Sequence, residues 1–185
     1  MADLLDLFGR ALDACARAGL ALACALLAAM ALLINVEVLG RYFFNFSTLI
    51  ADEYTGYFFT WLTMASLLWG LRRGDFLAVD AAVRRLGPRA RDACACLAAL
   101  VGLCVALVLL DATWELLAVS LKFGSRSIQP SQTPLWIPQL ALPAGFALLA
   151  LAYLHEILAR ARAALTGTAA EKAGGQAGGR APAPP

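Results

Sequence analysis

Few side chains in this 185-residue chain could do chemistry, and they are scattered. There is one histidine, His155. A bis-histidine haem site needs a second imidazole, and a hydrolytic triad needs a serine and an acid converging on it; nothing in the spacing closes either set. Cys94 and Cys96 stand as C-x-C with no nearby histidine to complete a metal set. Together with Cys15, Cys24 and Cys104 they read as small apolar packing residues. No phosphate-cradling glycine-rich motif occurs. The charges that do form a pattern sit where apolar runs begin or end. Glu37 and Arg41 are four apart with the acid first, the favourable order on a helix. Asp52 and Glu53 open the second run, and Arg72 closes it. These residues are expected to anchor helix ends or to meet a partner, and Trp61 is a further candidate for lipid or partner contact. No catalytic residue, metal or cofactor is expected, and no nucleic-acid partner.

Four long apolar runs must position these groups, at about 18–39, 54–71, 93–121 and 135–159. A bilayer core about 30 Å thick takes about 20 helical residues to cross. The chain is 61% hydrophobic, with a mean hydropathy of +0.72. Removing four spans leaves no second core for a soluble domain. The expected fold is an all-α integral membrane protein with four transmembrane helices, forming one domain over 1–165. A Gly-, Ala- and Pro-rich tail at 166–185 is expected to be disordered and cytoplasmic.

The basic residues set the orientation. Arg10 and Arg17 precede the first run, six arginines lie within 72–92, and four basic residues follow the fourth run. The two remaining loops hold only Arg41, Lys122 and Arg126. The positive-inside rule then puts both termini in the cytoplasm. Tyr42, Phe43, Phe44, Tyr54, Tyr57 and Trp136 gather at the opposite end, as an interfacial aromatic belt does. Asp3, Asp6 and Asp13 argue against a signal peptide. Leu4, Phe8, Leu12 and Cys15 instead predict a short amphipathic lead-in lying on the cytoplasmic surface.

Within the helices, Gly56, Thr60, Thr63 and Gly70 share one face, as do Ala98, Gly102 and Ala106. Small residues so spaced let helices approach closely in lipid. Asp111, followed by Glu115, falls near the outer headgroups and reads as a solvated end. The loop at 72–92 is expected to lie along the inner membrane surface. Pro138 falls in a first turn, and Pro143 is expected to bend the fourth helix.

Several segments resemble the small membrane subunit, DctQ type, of tripartite ATP-independent periplasmic (TRAP) transporters. They are Asn35-Val36 with Arg41-Tyr42-Phe43-Phe44-Asn45, and Ala51-Asp52-Glu53 with Tyr57-Phe58-Phe59-Thr60-Trp61. Gly70-Leu71-Arg72-Arg73-Gly74-Asp75 with Val79-Asp80 follows, then Pro134-Leu135-Trp136-Ile137-Pro138 with Leu142-Pro143-Ala144-Gly145-Phe146. The resemblance covers about 30–158. Ile50 stands where the family often has Trp, and Phe76 where it often has His.

The resemblance implies a bacterial inner-membrane subunit of an importer driven by an ion gradient. Its partners would be a large multispanning membrane subunit and a periplasmic substrate-binding protein, besides membrane lipids. The small subunit would serve as a non-catalytic scaffold, and the substrates would be organic anions such as carboxylates or sugar acids. The alternative reading is a haem- or quinone-associated membrane anchor of a redox enzyme, for which His155 would be the ligand. A third is a small autonomous exporter.

Overall fold

The computed structural model describes residues 2–44, 50–73 and 88–165, and among these every long element is helical. The helices are α1 (Ala2–Phe44), α2 (Ala51–Arg73), α3 (Pro88–Phe123), the single turn α4 (Trp136–Gln139) and α5 (Ala141–Leu165). The loop expected at 72–92 is shorter, because α2 runs on to Arg73 and α3 already begins at Pro88; residues 74–87 and the tail at 166–185 lie outside the described residues.

The first helix differs from its sequence reading. The lead-in is not a separate surface element but the first four turns of a continuous 43-residue helix. At 1.5 Å per residue this rod is about 64 Å long, roughly twice a bilayer core. The cause is an unbroken contact stripe. Leu12, Ala16, Ala23 and Glu37 are buried, with Gly19, Leu26, Met30 and Leu33 partly covered between them. These steps alternate between three and four, so one seam of the helix stays against its neighbour from the lead-in to Glu37. Cys15 falls off that seam.

The fourth span is divided. Pro143 has no N–H for the carbonyl of Gln139, and its ring crowds that carbonyl. The helix is interrupted at Leu140, three residues before the proline, where the backbone remains right-handed (φ −59°, ψ −28°) and its N–H still reaches Trp136 O at 3.0 Å. The result is a kink with Pro138 buried beside it.

In space the helices form an open row, α1–α2–α5–α3. α1 packs on α2, α2 on α5 and α5 on α3, which leaves α1 and α3 as the two flanks. Among the described residues, and prolines aside, eight of the eleven buried hydrophobic residues are alanines. Close contact therefore comes from small side chains, the usual solution where lipid is as apolar as any core. A glycine marks a close approach in each pair. A Cβ at Gly19 would strike the Ala65 carbonyl of α2. At Gly145 it would meet Met64 at 2.8 Å, and at Gly102 the Tyr153 ring at 2.5 Å.

The stripe expected on α2 is not among these contacts. A Cβ at Gly56 would meet nothing within 4 Å, and the Thr60 and Thr63 hydroxyls return to Gly56 O (3.0 Å) and Phe59 O (2.7 Å) of their own helix. On α3, Gly102 and Ala106 do face α5, whereas Ala98 is exposed. The five cysteines are exposed as well, not packed between helices. A thiol is small and apolar enough to face lipid, so composition gave no sign of this.

Leu5–Phe44, Ala93–Phe123 and Trp136–Arg162 are long and apolar enough to cross a membrane. α2 is long enough at 23 residues but is less apolar, with hydroxyls at Thr60, Thr63 and Ser66 and charges at both ends. Its place in the middle of the row explains the difference. Protein covers it on two sides, and nearly all its residues are at least half-buried, so less of it needs an apolar surface.

Candidate functional site

Two polar clusters close the row, one at each end of α2. Arg72 and Glu53 are their hubs, and 19 residues of helix separate these by about 29 Å.

The first cluster joins three helices. Arg72 Nε donates to Asp13 Oδ1 on α1 at 2.7 Å, and Nη2 lies 2.6 Å from the same oxygen. Nη2 also donates to the carbonyl of Gly9 at 3.3 Å, and Nη1 lies 3.3 Å from His155 Nδ1 on α5. A guanidinium has only donors, so in this contact Nδ1 is the acceptor. The other side of the imidazole is enclosed too. A Cβ at Gly9 would lie 2.9 Å from Nε2, and the Phe8 ring meets the imidazole at a tilt of 58°, with centroids 5.6 Å apart. His155, the expected ligand of the haem alternative, thus meets Arg72 through Nδ1 and packs against Gly9 and Phe8. Beneath it Ala16, Leu68 and Ala152 form a buried apolar cluster, with Trp69, Leu71 and Leu148 packed around them. Asp6 and Arg162 approach to 3.9 Å at the same end.

The second cluster joins α2 to the loop at 124–135. Gly124, at φ +59°, ends α3: its N–H reaches Leu121 O and that of Ser125 reaches Ser120 O. This is the left-handed stop that glycine allows. The loop then folds back as a small hairpin, with Ser127 N to Thr133 O at 2.9 Å and Leu135 N to Ser125 O at 3.0 Å. Its hydroxyls reach α2. Ser131 Oγ donates to Glu53 Oε2 at 2.5 Å, Tyr57 Oη donates to Glu53 Oε1 at 2.5 Å, and Tyr54 Oη lies 3.3 Å from Thr133 Oγ1. Desolvation alone would raise the Glu53 carboxyl. The hydroxyls of Ser127, Ser131 and Tyr57 outweigh it and hold the group below its ordinary value.

The remaining candidates are placed separately. Glu37 is 8% exposed, at the outer end of the α1 contact seam, and accepts from Arg41 Nη2 at 3.2 Å. The pair is thus half-buried, with Arg41 on the outside. Asp52 is exposed in the first turn of α2, where an acid complements the helix dipole. Trp61 is half-buried, and Asp111 and Glu115 are exposed on α3. Arg41 and Glu53 flank the first loop but do not meet: Arg41 turns to Glu37, and Glu53 turns to the loop after α3.

Asp13, His155, Ser127, Ser131 and Thr133 were not legible as members of these clusters. The only signals were a lone histidine near a helix end and a serine-rich loop.

Residues 30–163 match the family described as tripartite ATP-independent periplasmic transporters, DctQ component. The chain belongs to this family. The match takes in the last third of α1 and nearly all the rest of the helical row, including the whole Glu53 cluster. It begins after Asp13 and Gly9, so the Arg72 cluster draws two of its partners from outside the matched region. No curated protein matches the chain. The DctQ component is part of a transporter, and together with three apolar helices long enough to span a bilayer it marks a membrane transport protein.

Proposed function

We propose that this DctQ chain is the non-catalytic scaffold of an inner-membrane importer, bracing a large multispanning subunit that moves the solute. The observation that carries this reading is the open row. Its two flanking helices leave broad apolar faces uncovered, among them Leu27, Leu32 and Val36 on α1 and Leu97, Val101, Val105 and Val108 on α3. Among the described residues, its ion pairs lie toward the two ends of the row. A rigid plate of this kind can support a neighbour without moving anything itself.

The chain crosses the membrane four times with both termini in the cytoplasm. Two considerations support this. The Arg72 and Glu53 clusters are separated by about one bilayer core along α2. The arginine-rich end is the one where α1 begins and where α2 and α5 finish. Arg41, Asp52 and Trp61 belong to the partner interface, while Glu37, Glu53 and Arg72 fix helix ends. A periplasmic binding protein would deliver the substrate, an organic anion of the carboxylate or sugar-acid class, and an ion gradient would drive uptake.

The test is reconstitution. The chain should co-purify with a large multispanning subunit of the same transporter, and solute uptake into liposomes should need both. Flux through this chain alone would overturn the scaffold reading. Labelling of the 84–91 segment from the periplasmic side would overturn the orientation.

A further inference from the structure

We propose that a recess between the arginine-rich ends of α1 and α2 binds the phosphate of an anionic phospholipid. Asp13, Ala16 and Arg17 line it from α1, and Trp69, Arg72 and Arg73 from α2. It measures about 340 Å³ and is open on one side.

The charge balance is the first argument. Three guanidinium groups face one carboxylate, and that carboxylate is already taken up by Arg72. Arg17 and Arg73 are left as surplus cations. Arg17 uses only Nε, on the Asp13 carbonyl at 3.3 Å, so its terminal nitrogens keep their donors. Arg73 has no hydrogen-bond acceptor among the described residues. Its guanidinium is instead held over the Trp69 ring, with Cζ 4.5 Å from the ring centroid. Stacking fixes the plane of the fork and leaves its edge donors open. Two such forks, one on each wall, suit the several oxygens of a phosphate.

Depth favours a lipid over a dissolved anion. Arg17 directly precedes the apolar run of α1, and Arg72 and Arg73 directly follow that of α2. Trp69, a ring with an apolar body and a polar edge, belongs at the same level. Ala16 supplies an apolar floor. A phosphodiester held at this rim can lay its acyl chains along the exposed side of α1. The inference does not need the scaffold reading. Only its assignment to the inner leaflet follows from the orientation proposed above.

The experiment is native mass spectrometry of the full chain in neutral detergent, titrated with phosphatidylglycerol, phosphatidylcholine or inorganic phosphate. Phosphatidylglycerol should bind, and R17Q/R73Q should weaken it about thirtyfold, the size expected for two basic groups at a membrane surface. The charge-matched control K122Q/R126Q, at the opposite end, should bind as the parent does. Phosphatidylcholine should bind more weakly, and millimolar inorganic phosphate should not displace the lipid. Equal binding by parent and R17Q/R73Q, equal binding of the two lipids, or displacement by phosphate would each overturn the proposal. A second readout leaves the recess intact. In W61F/W114F/W136F, Trp69 emission should change as phosphatidylglycerol is added, and an unchanged spectrum would also overturn it.

Discussion

The two ends of α2 are fastened by different chemistry. At Arg72 one cation reaches two other helices, taking a carboxylate and a carbonyl from α1 and an imidazole from α5. At Glu53 one carboxylate gathers hydroxyls from its own helix and from a loop. The first arrangement fixes how rods sit beside one another, and it is backed by close approach of Gly9 to the His155 ring and of Gly19 to the Ala65 backbone. The second fixes where a connection lies, and no glycine approach backs it. Damage at the Arg72 end should therefore be global and damage at the Glu53 end local.

The strongest way to break this contrast is at Gly19. A valine there would press its Cβ against the Ala65 carbonyl, which belongs to backbone and cannot turn aside. G19V should cost about 3 kcal/mol in thermal or denaturant unfolding of the solubilised chain. An unchanged melting curve would mean that the α1–α2 contact is looser than described.

Next is the hub itself. R72M keeps the length of the side chain but leaves Asp13, the Gly9 carbonyl and His155 Nδ1 without their donor. Since Arg72 is 20% exposed and Asp13 about half exposed, water recovers part of the loss, and about 2 kcal/mol is expected. R72K should restore only part of it, because an ammonium group cannot reproduce the fork.

At the other end, E53Q should leave the global melt near that of the parent while amide exchange quickens across 125–135. Acid should act in the same place. The folded state holds the Glu53 carboxyl below its ordinary value, so its contribution is fully present above the unfolded-state pKa. That contribution is lost as pH falls through the lower folded-state value. Exchange in the loop should therefore stay slow until the pH drops below the usual carboxylate range, and the E53Q chain should lack this step.

The smallest effect sharpens the contrast by its absence. G56A adds a methyl group where nothing stands within 4 Å, so stability should hold or rise by up to about 1 kcal/mol through helix propensity. A clear loss would restore Gly56 to a packing face.

Much of this molecule could be read from its residues taken in order. Apolar runs of spanning length dictate helices, since no other open structure satisfies its backbone in lipid. Charges and aromatic residues mark where those helices end, and Gly124 and Pro143 mark a stop and a kink with simple steric causes. The segments around Arg41, Glu53, Arg72 and Pro138 sufficed to point to the DctQ family. Tertiary structure alone decided the row α1–α2–α5–α3, the choice of Gly19 over Gly56 as a crossing point, and the partners of Arg72 and Glu53. The reason is physical. On a soluble helix the buried face is the apolar one, so its period names it. On a helix apolar all round, lipid and protein contacts look alike in sequence, and only long-range shape complementarity selects between them.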